Sequence, residues 1–281
     1  MKSLSSQKTN GAKMAALMLL LISSTRTEVA AFSSPFIRHT RTTNPISLNM
    51  HGHGGDTAVA TGFIDSELRG AAMRLHTRKQ APKEGEAPEK PSEKPDAPRY
   101  VPTHQDYLNF LVDSQHVYQA MEDIVNSRSD LAMFRNTGME RTKPLETDIQ
   151  FMCAEYNLER PEVGQAGLSY AEELKRITSN GEGKNVPEFV CHFYNHYFAH
   201  TAGGRMIGKQ MSALLLDKKT LEFYKWDGDI NKIKAAVKEV IEGMAAKWTQ
   251  EEKDECVGAT AATFRYGGML NANLSGGSSP H

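Results

Sequence analysis

The hydrophobic positions of this chain follow a helical period over most of its length. Between residues 104 and 126 the apolar side chains recur three or four positions apart and form one stripe, as on an amphipathic α-helix. The members of the stripe are Tyr107, Phe110, Leu111, Val117, Tyr118, Met121 and Val125. Residues 62–77 show the same period, and their shared face carries Ile64, Leu68, Ala72 and His76. Alternating Val-, Ile- and Thr-rich runs are nearly absent, so the pattern predicts an all-α fold.

The same period predicts further helices in the second half of the chain. Their expected positions are 128–138, 145–158, 169–178, 187–216, 229–246 and 249–268. Pro187 occupies a position where a first-turn proline is tolerated, and Thr249 with Glu252 has the spacing of a capping box. Between the first helix and the stripe, residues 78–99 are rich in Pro, Glu and Lys. This composition predicts a mobile charged insertion within one domain, because the segment before it is too short to fold alone.

The formal charge of −1 is the sum of two regions with opposite charge. Residues 1–50 carry six of the 33 basic side chains and one of the 34 acidic ones, so the remainder has a formal charge of −6. A near-neutral total excludes a strongly basic nucleic-acid-binding protein. No apolar run approaches the roughly 20 residues of a membrane-spanning helix, which excludes a polytopic membrane protein. Three widely spaced cysteines exclude both a disulfide scaffold and a CxxC metal site.

The first 50 residues have the composition of a targeting sequence. Lys2, Lys8 and Lys13 precede a short apolar run and the small residues around Ala31, which predicts a secretory signal peptide over residues 1–31. Residues 32–50 contain Ser, Thr and Arg but no acid, as in a transit peptide. Joined at Ala31-Phe32, the two resemble the bipartite presequences of algae with secondary red-lineage plastids. They predict import into the plastid stroma; a secreted protein with a polar propeptide is the alternative.

A histidine-rich helix carries the densest chemistry of the chain. His192, His196 and His200 follow at intervals of four and share one helix face, where paired histidines can bind zinc. However, a phenylalanine follows His192 where a zinc protease would have its glutamate. The alternative is that these histidines form hydrogen bonds in the core or at the surface.

Glycines follow the histidines on the same helix. Gly203, Gly204 and Gly208 each cost on the order of 1 kcal/mol relative to alanine within a helix. They indicate that the helix bends or that a flat ligand approaches its backbone. A helix C-cap and close helix packing remain as alternatives.

Several separated motifs, in order, closely resemble heme oxygenase of the plant and algal plastid type. They are Ala72-Met-Arg-Leu-His-Thr77, Tyr107-Leu-Asn-Phe-Leu-Val-Asp113, Asn136-Thr-Gly-Met-Glu-Arg141, His192-Phe-Tyr-Asn195, Tyr197-Phe-Ala-His-Thr-Ala-Gly-Gly-Arg-Met-Ile-Gly208, Leu221-Glu-Phe-Tyr-Lys-Trp-Asp-Gly228 and Trp248-Thr-Gln-Glu-Glu-Lys253. The resemblance spans roughly residues 60–270 and includes the charged insertion. It implies one heme oxygenase-like domain over 51–270. The polar composition of residues 271–281 predicts a disordered tail.

The resemblance implies an enzyme that holds heme b between a proximal and a distal helix, with the heme as both substrate and prosthetic group. Such an enzyme uses O₂ and electrons from ferredoxin to release biliverdin IXα, CO and Fe²⁺ for bilin chromophore synthesis. The expected partners are ferredoxin and a bilin reductase, with no nucleic acid and no stable membrane anchor. One alternative is a non-catalytic heme- or bilin-binding protein of the same fold. A helical zinc protein built on the three histidines is another.

The resemblance also assigns roles to individual residues. His76 is implied as the proximal iron ligand, and the distal helix maps to residues 188–208, where Gly203 and Gly204 let the backbone lie close over the iron. His200 is expected to take part in a distal water network. Ala199 stands where animal enzymes have a glycine, which implies a different bend of this helix.

The heme propionates require cations or hydroxyl groups at the edge of the pocket. The candidates by motif position are Arg69, Tyr194 and Lys225, and Phe264 is expected to form a wall of the heme pocket or a core contact. A second cation is expected at position 221, but this chain has a leucine there. This second propionate contact is therefore absent, or Lys218 or Lys219 makes it instead.

Docking of an acidic ferredoxin on a domain of charge −6 requires a local basic patch. The residues expected to form this patch are Arg69, Arg74, Arg78, Lys79 and Lys225.

Overall fold

The computed structural model describes residues 62–75 and 100–276, which fall within one compact unit. Over these two segments the regular secondary structure is entirely helical, which confirms the predicted all-α class. The predicted presequence (residues 1–50), the charged insertion (78–99) and His76 lie outside the described residues. Within the described segments no helix is long and apolar enough to cross a membrane.

The helices follow one another with short connections. In chain order they are α1 (a π-helical turn Ile64–Leu68 continued by the α-helical segment Arg69–Leu75), α2 (His104–Ser127), α3 (Thr142–Tyr156), α4 (Gln165–Thr178), α5 (Val186–Ala199), α6 (Arg205–Leu215), α7 (Ile230–Ala245), α8 (Gln250–Gly258) and α9 (Thr260–Ala272). A π-helical turn, His200–Gly204, joins α5 to α6. Short 3₁₀ helices occupy Ser129–Phe134 and Glu222–Tyr224.

The structure differs from the sequence predictions at four places. The helix predicted over 187–216 is divided by the π-helical turn, and the one over 249–268 is divided at Ala259. The segment 128–138 forms only a short 3₁₀ helix, which ends where Arg135 adopts an extended backbone. Beyond it, Asn136 and Gly138 have positive φ angles of 54° and 84°, which a right-handed helix does not contain. Helix α9 also continues into the predicted tail, where the Asn273 amide donates to Asp113.

Helix α2 is the centre of the core. Its apolar stripe is buried as the sequence predicts; Tyr107, Leu111, Tyr118 and Met121 are at most 1% exposed. The helix packs against α3, α4 and α9. Its first turn is held by a capping box formed by Thr103 and Asp106.

Helices α1 and α5, which carry residues of the 72–77 and 192–195 motifs, share two neighbours. Helix α9 contacts α1 on one side and α5 on another, and α8 also contacts both. The predicted capping box of Thr249 and Glu252 is present at the start of α8, and Pro187 lies in the first turn of α5. The C-terminal helices therefore set the spacing between α1 and α5.

Gly208 allows α6 to pack directly on an aromatic ring. A Cβ atom at this position would lie 2.6 Å from the Tyr224 ring, well inside van der Waals contact. Tyr224 is buried, and its hydroxyl accepts a hydrogen bond from Tyr107 on α2 at 3.1 Å. Close packing thus accounts for this glycine.

Replacement of Gly208 by alanine is expected to destabilise the protein by about 1–3 kcal/mol, because the methyl group would displace a buried ring. Gly243→Ala in α7 is the matched control, since no atom lies within 4 Å of its added Cβ, and a gain of about 0.5–1 kcal/mol is expected there. Urea unfolding measures both free energies. Equal effects of the two substitutions would contradict this account.

Candidate functional site

The start of α1 is fixed by a carboxylate from the distant helix α7. The backbone N–H groups of Phe63 and Ile64 donate to the two oxygens of Glu242, each at 2.8 Å. The Phe63 ring meets Trp248 edge to face, with centroids 5.8 Å apart. Because these N–H groups have no partner within the helix, the carboxylate satisfies them and complements the positive end of α1.

The far end of α1 presents apolar side chains to solvent. Met73 and Leu75 are 49% and 43% exposed, and Leu75 is the residue immediately before His76. Leu68 on the same helix is fully buried, so α1 is anchored on one side while its last described turn remains open. Exposed apolar side chains at this position suit a surface that an apolar ligand covers.

Charged and hydroxyl groups converge beside α1. Asp65 lies 3.7 Å from both Arg69 on α1 and Lys238 on α7. Burial raises the pKa of Tyr194 on α5 to about 12, and Asp65, Arg69 and Glu242 are close enough to act on it electrostatically. The structure therefore brings together Arg69 and Tyr194, two of the predicted propionate contacts.

Lys238 was missed by the sequence reasoning. The signal that points to it is the pair of lysines at 234 and 238, which are spaced by four on a helix predicted over 229–246. Its approach to Asp65 across helices could not be seen in this spacing.

Lys225, the third predicted propionate contact, has a different set of neighbours. Its ammonium group lies 2.6 Å from Glu222, and its carbonyl accepts a hydrogen bond from Arg141 at 2.5 Å. The 3₁₀ helix before it turns the side chain toward Glu222, so Lys225 is not brought into the Arg69 cluster. Of the two suggested replacements, Lys219 lies over the Phe151 ring and Lys218 lines a separate groove.

The three histidines at positions 192, 196 and 200 have three different environments. His192 Nδ1 lies 3.2 Å from the Tyr170 hydroxyl, and His196 packs between the Tyr118 and Tyr170 rings. Burial lowers the pKa of His192 to about 4 and that of His196 to about 3, so both are neutral. Among the described residues no group of three His, Cys, Asp or Glu side chains is arranged to hold a metal. The spacing of these histidines therefore reflects core packing and not a zinc site.

His200 is held by a backbone carbonyl. Its Nε2 lies 2.8 Å from the Phe223 oxygen, and its ring stacks on the Phe223 ring with centroids 3.9 Å apart. Burial lowers the pKa of His200 to about 3, so the ring is neutral. Since a carbonyl only accepts, Nε2 carries the proton and Nδ1 is an acceptor.

The paired glycines lie in the π-helical turn and face different surroundings. A Cβ atom on Gly204 would lie 2.7 Å from His200 Nδ1, so this glycine makes room for the imidazole. A Cβ atom on Gly203 would have no heavy atom within 4 Å. Gly203, Ala202 and Ala199 are all exposed. They form a strip of small residues on which a flat ligand can approach the helix backbone.

Phe264 is half-buried on α9, the helix that packs against both α1 and α5. This position beside both helices is compatible with each of its predicted roles, a wall of the ligand pocket or a core contact.

A basic groove runs along α6. It encloses about 720 Å³ between this helix and the segment that ends at Tyr224. Its cations are Arg205, Lys209 and Lys218, and all three are exposed. Within the described segments none of the three has a carboxylate within ion-pair distance. The sequence reasoning did not identify this group of three cations. Arg205 and Lys209 lie on α6, and only the fold shows that Lys218, from the loop after α6, lines the same groove.

Comparison with known proteins points to one family. The heme oxygenase family model matches residues 97–271. The chain is 44% identical over 211 residues to the chloroplastic heme oxygenase 1 of Arabidopsis thaliana, covering 74% of this chain and 72% of the relative. It is 36% identical over 173 residues to a probable inactive chloroplastic heme oxygenase 2 of the same plant, covering 61% of this chain and 56% of that relative.

A solved structure shares the fold. The heme oxygenase-1 of the cyanobacterium Synechocystis, crystallised in complex with heme, superposes with a TM-score of 0.52 at 21% identity. The match covers 61% of this chain and 78% of the cyanobacterial one.

The substitution Glu242→Gln is expected to lower the free energy of unfolding by about 1–2 kcal/mol, because the uncharged amide can accept only one of the two N–H groups at the start of α1. Glu239→Gln on the same helix is exposed and is expected to change stability by less than about 0.5 kcal/mol. Urea unfolding compares the two variants. A Glu242 variant as stable as the Glu239 variant would show that the carboxylate does not anchor α1.

Proposed function

The chain belongs to the heme oxygenase family, and we propose that it cleaves heme with O₂ and ferredoxin-supplied electrons to biliverdin IXα, CO and Fe²⁺. The observation that carries this proposal is the open side of Gly203 in the π-helical turn. There the distal helix offers its backbone to a flat ligand without an intervening side chain. The proposed biliverdin product would serve bilin chromophore synthesis, with a bilin reductase as the next partner.

The described residues suit the shape and charge of heme. The strip of Ala199, Ala202 and Gly203 provides a flat distal surface, and the exposed apolar end of α1 provides the proximal one. We propose His76, the residue after the last described turn of α1, as the iron ligand. Phe264 would close the pocket from α9.

The propionates of heme would bind at the cluster beside α1. Arg69 and Lys238 supply positive charge there, and the buried Tyr194 supplies a hydroxyl that remains protonated at neutral pH. In this proposal Lys238 takes the place that sequence reasoning gave to Lys225. Charge-assisted hydrogen bonds at this edge would orient the ring relative to the distal glycines.

When bound, heme supplies both the iron that reacts with O₂ and the ring carbon that is oxidised. The distal helix keeps its own side chains away from that reaction. His200 is neutral, and its one N–H donates to the Phe223 carbonyl, so it has no proton to give as a general acid. It contributes an acceptor, Nδ1, next to Gly204. Gly203 would leave the side that faces the ligand free of a side chain, and Gly204 makes room for the His200 imidazole.

Electron delivery by ferredoxin would use the basic groove along α6. Two members of the patch expected from sequence are paired with acids, Arg69 with Asp65 and Lys225 with Glu222. Arg74 is exposed in the last turn of α1, and Arg78 and Lys79 lie outside the described residues. The groove instead presents three cations without acidic partners in the described segments, and its wall includes Ala202, the neighbour of Gly203. Such a local field attracts an acidic protein even though the domain is negative overall.

We place the protein in the plastid stroma. Its relatives at 44% identity are named chloroplastic, and residues 1–50 have the composition of a signal peptide followed by a transit peptide. The three cysteines are free thiols, which suits a reducing compartment.

A non-catalytic heme- or bilin-binding protein is the second candidate. The observation in its favour is the similarity to a probable inactive relative. Heme binding does not distinguish this candidate from an enzyme, because both would hold the ligand between the same helices.

Hemin titration followed by turnover tests the proposed function. The wild-type protein is expected to form a 1:1 complex with a Soret band that the His76→Ala variant lacks and the control variant His116→Ala retains, since only His76 would bind iron. Addition of ferredoxin, its reductase and NADPH is then expected to replace this band with biliverdin absorbance. An unaltered spectrum in His76→Ala would refute ligation by this residue. A Soret band that persists without biliverdin would identify the non-catalytic protein.

Charge reversal tests the groove as the ferredoxin site. The triple variant Arg205→Glu, Lys209→Glu and Lys218→Glu is expected to raise the KM for ferredoxin about tenfold at low ionic strength. Added salt should shrink the difference from wild type, because salt screens exposed charges. The charge-matched control introduces glutamate at three lysines outside the groove, Lys143, Lys175 and Lys247. Similar KM values for the two triple variants would place the docking surface elsewhere.

A further inference from the structure

A buried carboxylate on α3 holds the turn that faces the distal helix. Asp148 is 2% exposed, and its two oxygens accept the consecutive backbone N–H groups of Glu222 and Phe223 at 2.9 and 2.7 Å. These residues form the first two positions of the 3₁₀ helix Glu222–Tyr224. One side chain thus satisfies two amides that have no partner inside this short helix.

The same turn holds His200. The Phe223 carbonyl accepts from His200 Nε2, and the two rings stack. On the opposite side of the imidazole, Nδ1 lies so close to position 204 that only a glycine fits there. A continuous series of contacts therefore joins Asp148 to the turn, the turn to the imidazole, and the imidazole to the π-helical turn.

The surroundings of Asp148 leave its carboxylate as the acceptor for this turn at neutral pH. Burial raises the pKa of Asp148 to about 6, and the nearby Glu222 raises it further while Lys225 and the two N–H groups lower it. The hydroxyl groups of Tyr107 and Tyr224 are the other titratable groups within electrostatic reach, and burial keeps both protonated.

We propose that Asp148 is a positioning residue that, through the turn Glu222–Tyr224, keeps His200 in the Nε2–H tautomer, with the unprotonated Nδ1 beside Gly204. Without this support the turn would lose its fixed carbonyl, and the imidazole would exchange between tautomers. The consequence for turnover rests on the proposed function, whereas the effect on the tautomer does not.

Nitrogen-15 NMR of the histidine side chains, recorded on the ligand-free protein, measures the tautomer directly. Wild-type His200 is expected to show one protonated and one unprotonated ring nitrogen. The Asp148→Asn variant, which exchanges one acceptor oxygen for an N–H₂ group, is expected to show averaged signals of both tautomers. The control is Asp113→Asn, a buried carboxylate 3% exposed that accepts the Gly164 N–H at 2.7 Å away from this turn. It should lose stability but keep the His200 signals of the wild type.

A second pair of variants, at Glu222, tests the hydrogen bond between the Glu222 N–H and Asp148 if Asp148→Asn does not fold. Glu222→Pro removes the N–H that donates to Asp148, and Leu221 already has the extended backbone (φ −70°, ψ 157°) that a following proline requires. Glu222→Ala also removes the ion pair with Lys225 but keeps the N–H. Averaged His200 signals are expected for the proline variant and wild-type signals for the alanine variant.

Heme turnover supplies a separate readout. Asp148→Asn is expected to lower kcat by about tenfold or more, because the His200 imidazole is no longer held in one orientation, while the KM for heme stays unchanged. Wild-type His200 signals in both Asp148→Asn and Glu222→Pro would overturn the proposal, as would equal changes in Asp113→Asn. If no variant, including the wild type, turns heme over, the proposed function fails while the NMR result still decides the role of Asp148.

Discussion

The contact between the turn Glu222–Tyr224 and the distal helix is the constraint on which the site depends. The Tyr224 ring fills the place of a side chain at Gly208, and the Phe223 carbonyl holds His200. The two contacted residues, His200 and Gly208, lie eight positions apart, so the turn fixes the rotation of the helix about its axis. Gly203 is then kept on the exposed side, because the helix cannot rotate independently of the turn.

The sequence predicted the parts of the fold that depend on local spacing. The apolar stripe of α2, the capping box at Thr249 and the first-turn position of Pro187 all follow from neighbours within four residues. The motif resemblance singled out α1 and α5 for a related reason, since each motif is a contiguous run. The division of the helix at His200 was expected only as a bend, and its π-helical form became visible in the structure.

Contacts between distant segments account for what the sequence did not reveal. Glu242 lies 179 and 178 residues from the two N–H groups it accepts, and Asp148 lies 74 and 75 residues from its own. Lys238 and Lys225 have similar local sequence contexts, in or beside a predicted helix. Only the packing of α7 against α1 brings Lys238 to Asp65. No periodicity encodes such partners, because a carboxylate on a helix surface has the same local pattern whether solvent or an amide lies opposite.

The anchoring of α1 by Glu242 has a consequence for the order of assembly. Helix α1 is the first described element of the chain, yet its contacts are with α7, α8 and α9. Closing so long a loop carries an entropic cost that is recovered only when those partners exist. A chain that emerges N-terminus first must therefore hold α1 undocked until its last quarter is available. The site proposed between α1 and α5 is therefore completed only at the end of folding, as a property of the whole chain.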